Sequence, residues 1–389
     1  MTLRWPVLVG GLGFVVGLAG CGPAAPEAQA PPSYAAAIAE WREGRIATAE
    51  EGLRSALREN PGHAATYAQL GNLYLLRKSF SSAIQSLETA CYLEPTNAVT
   101  HARLAQAYVD SRRYDEAQRA VDRALQLDPK SAYALTVRGE LLLRQDHLKD
   151  SLADFRAAIQ VDPESTLSYN KAGYILNQQQ QAKEAIPVLD EGVKRDPNNP
   201  ALHYQLAESY FSQPQNAQAA ALAEQHYRLA IPGNPAAASA HARLGELAQR
   251  RGDEAGARQE WEETLRMSAN DQTALYGLAQ LEARAGNKER SRELTQKLTA
   301  IRKVLGQLTE LQAKAEADPH NAEATIRAAR LALVGHVYTE AGRLVERAVR
   351  WHPENRTLRE LRGRLYLEQG LVDDARAEFA VAERLPVGK

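Results

Sequence analysis

Residues 98–131 read AVTHARLAQAYVDSRRYDEAQRAVDRALQLDPKS. Numbered from 1 to 34, this stretch has Ala105 at position 8, Tyr108 at 11, Ala117 at 20, Val121 at 24 and Ala124 at 27. It closes on Asp128-Pro129 at positions 31 and 32. Small residues at 8, 20 and 27 let two helix backbones approach closely, and large ones at 11 and 24 fill the remaining space. The proline ends the second helix, because it cannot continue an α-ladder and pushes the residue before it toward extended backbone.

The same unit recurs outward in both directions. Pro61, Pro95, Pro129, Pro163 and Pro197 follow one another at steps of 34 residues, Pro235 comes after a step of 38, and Pro319 and Pro353 are again 34 apart. Pro386 ends the series. Aligned on these prolines, position 8 is Ala37, Gly71, Ala105, Gly139, Gly173, Ala207, Gly245, Ala279, Ala329 and Gly363. Position 20 is Ala or Ser in every unit, and position 24 is bulky, as in Leu87, Phe155, Tyr227, Trp261 and Phe379. A repeat at this period is the signature of a solenoid in which no unit buries its faces alone.

This column pattern resembles the tetratricopeptide repeat, and the resemblance covers residues 33–386. It implies an all-α fold, a right-handed α-solenoid of about ten helix-turn-helix repeats. Repeats 1–7 are expected over 33–271, an eighth with an extended second helix over 272–318, and repeats 9–10 with a tail over 319–389. Gly44, Gly252, Gly286 and Gly370 mark turns between the two helices of a unit, where glycine suits the position just past a helix end. Between Tyr210 and Ala223 four extra residues predict a longer, proline-containing turn.

From Lys288 to Ala317 the helical pattern runs unbroken, with Leu294, Leu298, Ile301, Leu305, Leu308 and Ala315 in alternating steps of four and three, interrupted at Gln312. Such a seam buries one face. Two readings are open: the helix lies along its own solenoid, or it forms a homodimer through 288–317. Gly306 is a point at which it can kink.

The first residues predict an address. Met1–Arg4 is basic, Val7–Ala19 is an apolar run of 13 residues, too short to span a bilayer, and Leu18-Ala19-Gly20-Cys21 follows. This resembles the lipobox of bacterial lipoproteins, which implies a signal peptide over 1–20, a lipid on Cys21 and stable anchoring by several acyl chains. Gly22, where inner-membrane retention uses Asp, points by the same resemblance to the outer membrane, facing the periplasm. Residues 21–32 then form a Pro/Ala tether.

Composition excludes several functions. The net charge of −1 over 389 residues argues against nucleic acid as partner. Two cysteines make neither a disulfide framework nor a zinc ribbon. No metalloprotease, P-loop or serine-hydrolase motif occurs, so no catalytic residue and no cofactor is expected. His101, His203 and His241 occupy position 4 of separate units, which reads as one repeated packing site and not as a metal centre. Cys91, at position 28, reads as a buried inert thiol.

The remaining functional surface is the concave one. By the resemblance, positions 2, 5, 9 and 12 of each first helix line a groove that takes a protein partner, as an extended or helical segment. In repeats two to six, position 2 contributes Tyr133, and position 5 contributes Asn170 and Tyr204. Position 9 contributes Asn72, Gln106, Glu140, Tyr174 and Glu208, and position 12 contributes Leu75, Val109, Leu143, Asn177 and Phe211. Rigid aromatics are typical anchors of binding surfaces, and amides can bond a peptide backbone. The lysine-rich clamp for a terminal carboxylate is present only in fragments, Asn72 and Arg103. The expected function is therefore a non-catalytic envelope scaffold, serving assembly of a secretion, pilus or outer-membrane complex. Two alternatives stand beside it: an adaptor for a separate envelope enzyme such as a peptidoglycan hydrolase, and a cytoplasmic interaction module.

Overall fold

The computed structural model describes residues 30–234, 236–318, 322–334, 338–368 and 370–386. The expected signal segment, Cys21 and most of the tether lie outside the described residues. Among the described residues there are twenty α-helices and no strand. They come in pairs. The first are α1 (Pro32–Arg42) with α2 (Ile46–Glu59), α3 (Ala64–Leu76) with α4 (Phe80–Leu93), and α5 (Ala98–Asp110) with α6 (Tyr114–Leu127). Then come α7 (Ala132–Arg144) with α8 (Leu148–Val161), α9 (Thr166–Gln178) with α10 (Ala182–Arg195), and α11 (Pro200–Phe211) with α12 (Ala217–Ala230). The last are α13 (Ala237–Arg250) with α14 (Glu254–Met267), α15 (Gln272–Arg284) with α16 (Lys288–Ala317), α17 (Ala322–Val334) with α18 (Tyr338–Trp351), and α19 (Arg356–Glu368) with α20 (Val372–Glu383).

The chain divides into two compact units between Thr66 and Tyr67. In the first, α1 begins at Pro32, whose missing N–H costs nothing at a helix start, so the expected tether gives way to helix at its last residue. Gly52 on α2 lets the backbones close in: a Cβ there would lie 2.8 Å from that of Ala37.

The second unit is an α-solenoid of stacked helix pairs, each pair packed on the next. Columns 8 and 24 meet in the pairs whose position 8 is glycine. A Cβ on Gly71 would lie 2.4 Å from Leu87 Cγ, and one on Gly173 would lie 2.3 Å from Leu189 Cδ2. Trp261 is fully buried with Gly245 on one side and Gly277 on the other.

Two further columns organise the loops. Position 15 is left-handed in Gly44, Gly252, Gly286 and Gly370, but also in Lys78, Arg112, Asp146 and Gln180, with φ between 57° and 66° in these last four. Position 34 caps the next helix: Asn97 accepts from Thr100 N–H, Ser131 from Ala134 N–H, Asp271 from Ala274 N–H and Asn355 from Leu358 N–H. The cap at Asp271 accompanies a clean break after α14 even though Ala269 stands where other units have proline. The insertion in the sixth repeat is a turn over 212–216, closed by Asn216 capping α12.

The seam of α16 is used within the chain. Leu294 and Leu298 are buried in the core of α13–α16, with Ile301 packed against it, and Leu308 is buried in the core of α17–α19, with Leu311 packed against that one. The face on which a homodimer would depend is occupied by the chain's own two cores. The opposite face of the helix, including Lys288, Arg292 and Lys303, stays in solvent.

Repeat ten also returns to repeat two. Asp374 of α20, buried, accepts hydrogen bonds from the backbone N–H of Phe80 at 3.2 Å and of Ser81 at 3.0 Å, at the start of α4.

Candidate functional site: the row of first helices

The first helices α5, α7, α9 and α11 stand side by side, and polar contacts join α7 to α9 and α9 to α11. Thr136 and Ser168 share a hydroxyl hydrogen bond of 3.0 Å. Lys171 reaches Glu140 at 2.9 Å. Asn177 donates to the carbonyl of Gln205 at 2.8 Å and accepts from the Ser209 hydroxyl at 2.6 Å. Bonds to charged groups are the stronger members of such a chain.

Two clusters stand out along the row. In the first, Gln106 donates to Asp110 at 3.1 Å. Burial pushes the Asp110 carboxyl up to about 6, and the nearby Glu140 charge adds to this, while Gln106, Arg144 and Lys171 pull it back. Tyr133 packs at the edge of the core formed by Tyr108, Val121 and Leu141, and burial raises its hydroxyl. Asn170 has its amide nitrogen buried without a hydrogen-bond partner among the described residues, an arrangement that costs free energy until a partner is supplied. Next to it in the row, Tyr174 is 36% exposed, and Leu167 is exposed as well.

In the second cluster Glu208 accepts from the Tyr227 hydroxyl at 2.5 Å and from Arg243 at 3.2 Å. Tyr204 meets Tyr227 edge-on, and burial lifts its hydroxyl to about 12. The Phe211 ring carries two guanidinium groups, Arg243 at 4.6 Å and Arg250 at 4.3 Å from its centroid.

The structure therefore distributes the expected groove residues unevenly. Tyr174 is the exposed aromatic among them. Asn72 bonds to Gln69 on its own helix. Position 12 is mainly a packing column: Val109 is buried, and Leu75 and Leu143 pack on the cores of neighbouring pairs. The reason is helical register, since position 12 lies one turn beyond position 8 on the side that meets the next pair. One residue escaped a reading limited to repeats two to six. Tyr276, at position 5 of repeat eight, is 51% exposed and shares its column with Tyr204, which was the signal available.

Position 4 has a role beyond packing. His101 and His203 bond the carbonyls of Pro95 and Pro197 at 3.0 and 2.9 Å, and Arg359 donates to that of Pro353 at 2.9 Å. Each ties its first helix to the proline turn before it. His203 also meets His226 at 3.0 Å, and burial, with His203 beside it, pushes His226 down to about 4. No group of three or more His, Cys, Asp or Glu side chains suited to a metal occurs among the described residues. Burial pushes the Cys91 thiol up to about 12, and the Glu88 charge adds to this. No described helix is long and apolar enough to cross a membrane.

Paired helices, a 34-residue lattice and a polar row of first helices define a repeat scaffold. The chain belongs to the tetratricopeptide repeat family, which it matches over residues 34–98, 103–166, 136–200, 242–303 and 326–386, with a further match over 176–244. Repeats of this family are generally non-catalytic and serve protein–protein interaction. No curated protein matches the chain. Among solved structures, Pseudomonas aeruginosa pilF is similar at 21% identity and a TM-score of 0.51, over 56% of this chain and 97% of its own. A tetratricopeptide repeat protein from Parabacteroides merdae is similar at 18% identity and a TM-score of 0.47, over 69% and 97%. YrrB, described as having an unusual peptide-binding site, is similar at 18% identity and 0.41, over 50% and 98%. At 21% identity the likeness to pilF is one of fold.

Proposed function

We propose that this chain is a non-catalytic scaffold of the bacterial cell envelope, held by a lipid on Cys21 at the outer membrane and facing the periplasm. It binds a segment of a partner protein along the row of first helices, in the assembly of a secretion, pilus or outer-membrane complex. The observation that carries the binding claim is the pairing, one turn apart on α9, of exposed Tyr174 with the amide of Asn170, which has no hydrogen-bond partner among the described residues. A partner's apolar side chain covers the ring, and its backbone carbonyl accepts from the amide, which gives affinity without demanding a sequence. The address rests on the order of basic, apolar and Leu-Ala-Gly-Cys segments before residue 22. Labelled palmitate tests it: incorporation into the wild type and none into Cys21→Ser supports the anchor, and equal labelling of both refutes it.

A further inference from the structure

The contact between repeats two and ten is polar and local. Asp374 takes three hydrogen bonds from α4: the two backbone N–H groups of Phe80 and Ser81, and the Ser81 hydroxyl at 2.8 Å. A carboxylate on the first N–H groups of a helix satisfies donors that have no partner inside the helix and complements its dipole. Separately, Gly342 of α18 faces the Arg112 guanidinium at the α5–α6 turn, where an added Cβ would lie 3.3 Å from Nη2. The core around α4–α6 contains no residue of α17–α20, and the core of α17–α19 contains none of α3–α8. Among the described residues these two cores share no member, and each end has a core of its own.

The other connection to this C-terminal block is α16. Its first half belongs to one core through Leu294, Leu298 and Ile301, and its second to another through Leu308 and Leu311. Between them Arg302, Lys303, Gly306 and Gln307 are exposed, and nothing lies within 4 Å of a Cβ built on Gly306. A helix bends most readily at such a glycine.

We propose that repeats nine and ten form a gate, hinged at Gly306 of α16 and latched to α4 by Asp374, and that release of this latch admits a partner segment sideways to the row of first helices. With the latch closed, repeats two to ten form a circuit that a segment enters only from its ends. The gating step rests on the binding role proposed above for that row; the latch itself does not. Asp374 carries three of the bonds of the latch and the hinge sits at one open glycine, so each is separately tested.

Spin labels at Gln85→Cys on α4 and Ala380→Cys on α20 of the full chain read the latch by pulsed electron resonance. A single narrow distance is expected in the parent. In Asp374→Ala the distribution broadens and its mean lengthens by roughly 10 Å or more, the scale of one helix diameter. Adding Gly306→Ala, which has room for its methyl, narrows it again. An unchanged distribution in Asp374→Ala overturns the latch. Should Asp374→Ala lose helical circular dichroism, Ser81→Ala, which removes one bond and leaves α20 intact, decides by the same reading. For the gate, Ser81→Cys with Asp374→Cys locks the ends when oxidised. Capture of partner by a photocrosslinker at position 174 then falls tenfold or more in the envelope and recovers on reduction. Equal capture in locked and reduced forms overturns the gate. No capture from position 174 in either form removes the binding role and the gate with it, while the distance measurement still decides the latch.

Discussion

The indole of Trp261 fills the space where Gly245 has no side chain: a Cβ on Gly245 would lie 2.4 Å from the indole nitrogen, which donates to the carbonyl of Ala242 at 3.2 Å. The small column and the large column of the repeat are one packing relationship seen twice in sequence. Gly245→Ala overpacks this site and is expected to lower stability by about 1–3 kcal/mol. Denaturant titration of the full chain checks it, and an unchanged midpoint contradicts the close approach.

The left-handed turns yield a prediction of opposite sign. Gln180 has a φ of 59°, a region that costs a side-chain-bearing residue roughly 1–2 kcal/mol. Gln180→Gly is expected to stabilise the array by about 1 kcal/mol, while Gly252→Ala, at a φ of 81°, destabilises it by a similar amount. Thermal unfolding of both variants distinguishes this from a simple penalty for any change in the turn.

Asp110 makes stability pH-dependent in a definite direction. Its folded pKa, pushed up to about 6 by burial with Glu140 nearby, lies above the unfolded value of 3.8. The folded state thus holds the proton more tightly, and stability associated with this group is greatest below pH 3.8 and falls as pH rises toward 6. Asp110→Asn removes the charge and is expected to raise the unfolding midpoint at pH 7 and leave it nearly unchanged at pH 3.5. A larger gain at the lower pH contradicts the assignment.

Much of this architecture was legible in the chain. Prolines at steps of 34 and the Gly/Ala column from Ala37 to Gly363 identify paired helices, because steric exclusion acts residue by residue. The helix over Lys288–Ala317 and the glycine turns were legible for the same local reason. The caps at position 34 were present as Asn97, Ser131, Asp271 and Asn355, but as a column of mixed polar types they leave a weaker trace than a glycine column. The use of Lys78, Arg112, Asp146 and Gln180 in left-handed turns had no signal in those residue types, only in the column they share with Gly44, Gly252, Gly286 and Gly370. Groove exposure was the least legible feature. Val109 and Tyr174 sit in columns assigned equally to the surface, and only the stacking of repeats separates the buried one from the exposed one. The bond from Asp374 to Ser81 spans 293 residues, and no local pattern encodes it.

The central claim, that a partner lies along the first helices, is tested most directly by site-specific photocrosslinking in the native envelope. A benzophenone side chain at Tyr174, in the row, is compared with one at Tyr92, which is 85% exposed at the end of α4, a second helix. The prediction is that position 174 captures a distinct protein, that capture persists with Tyr276 replaced by the same group, and that position 92 gives background only. Capture from position 92 with none from 174 or 276 would contradict the account.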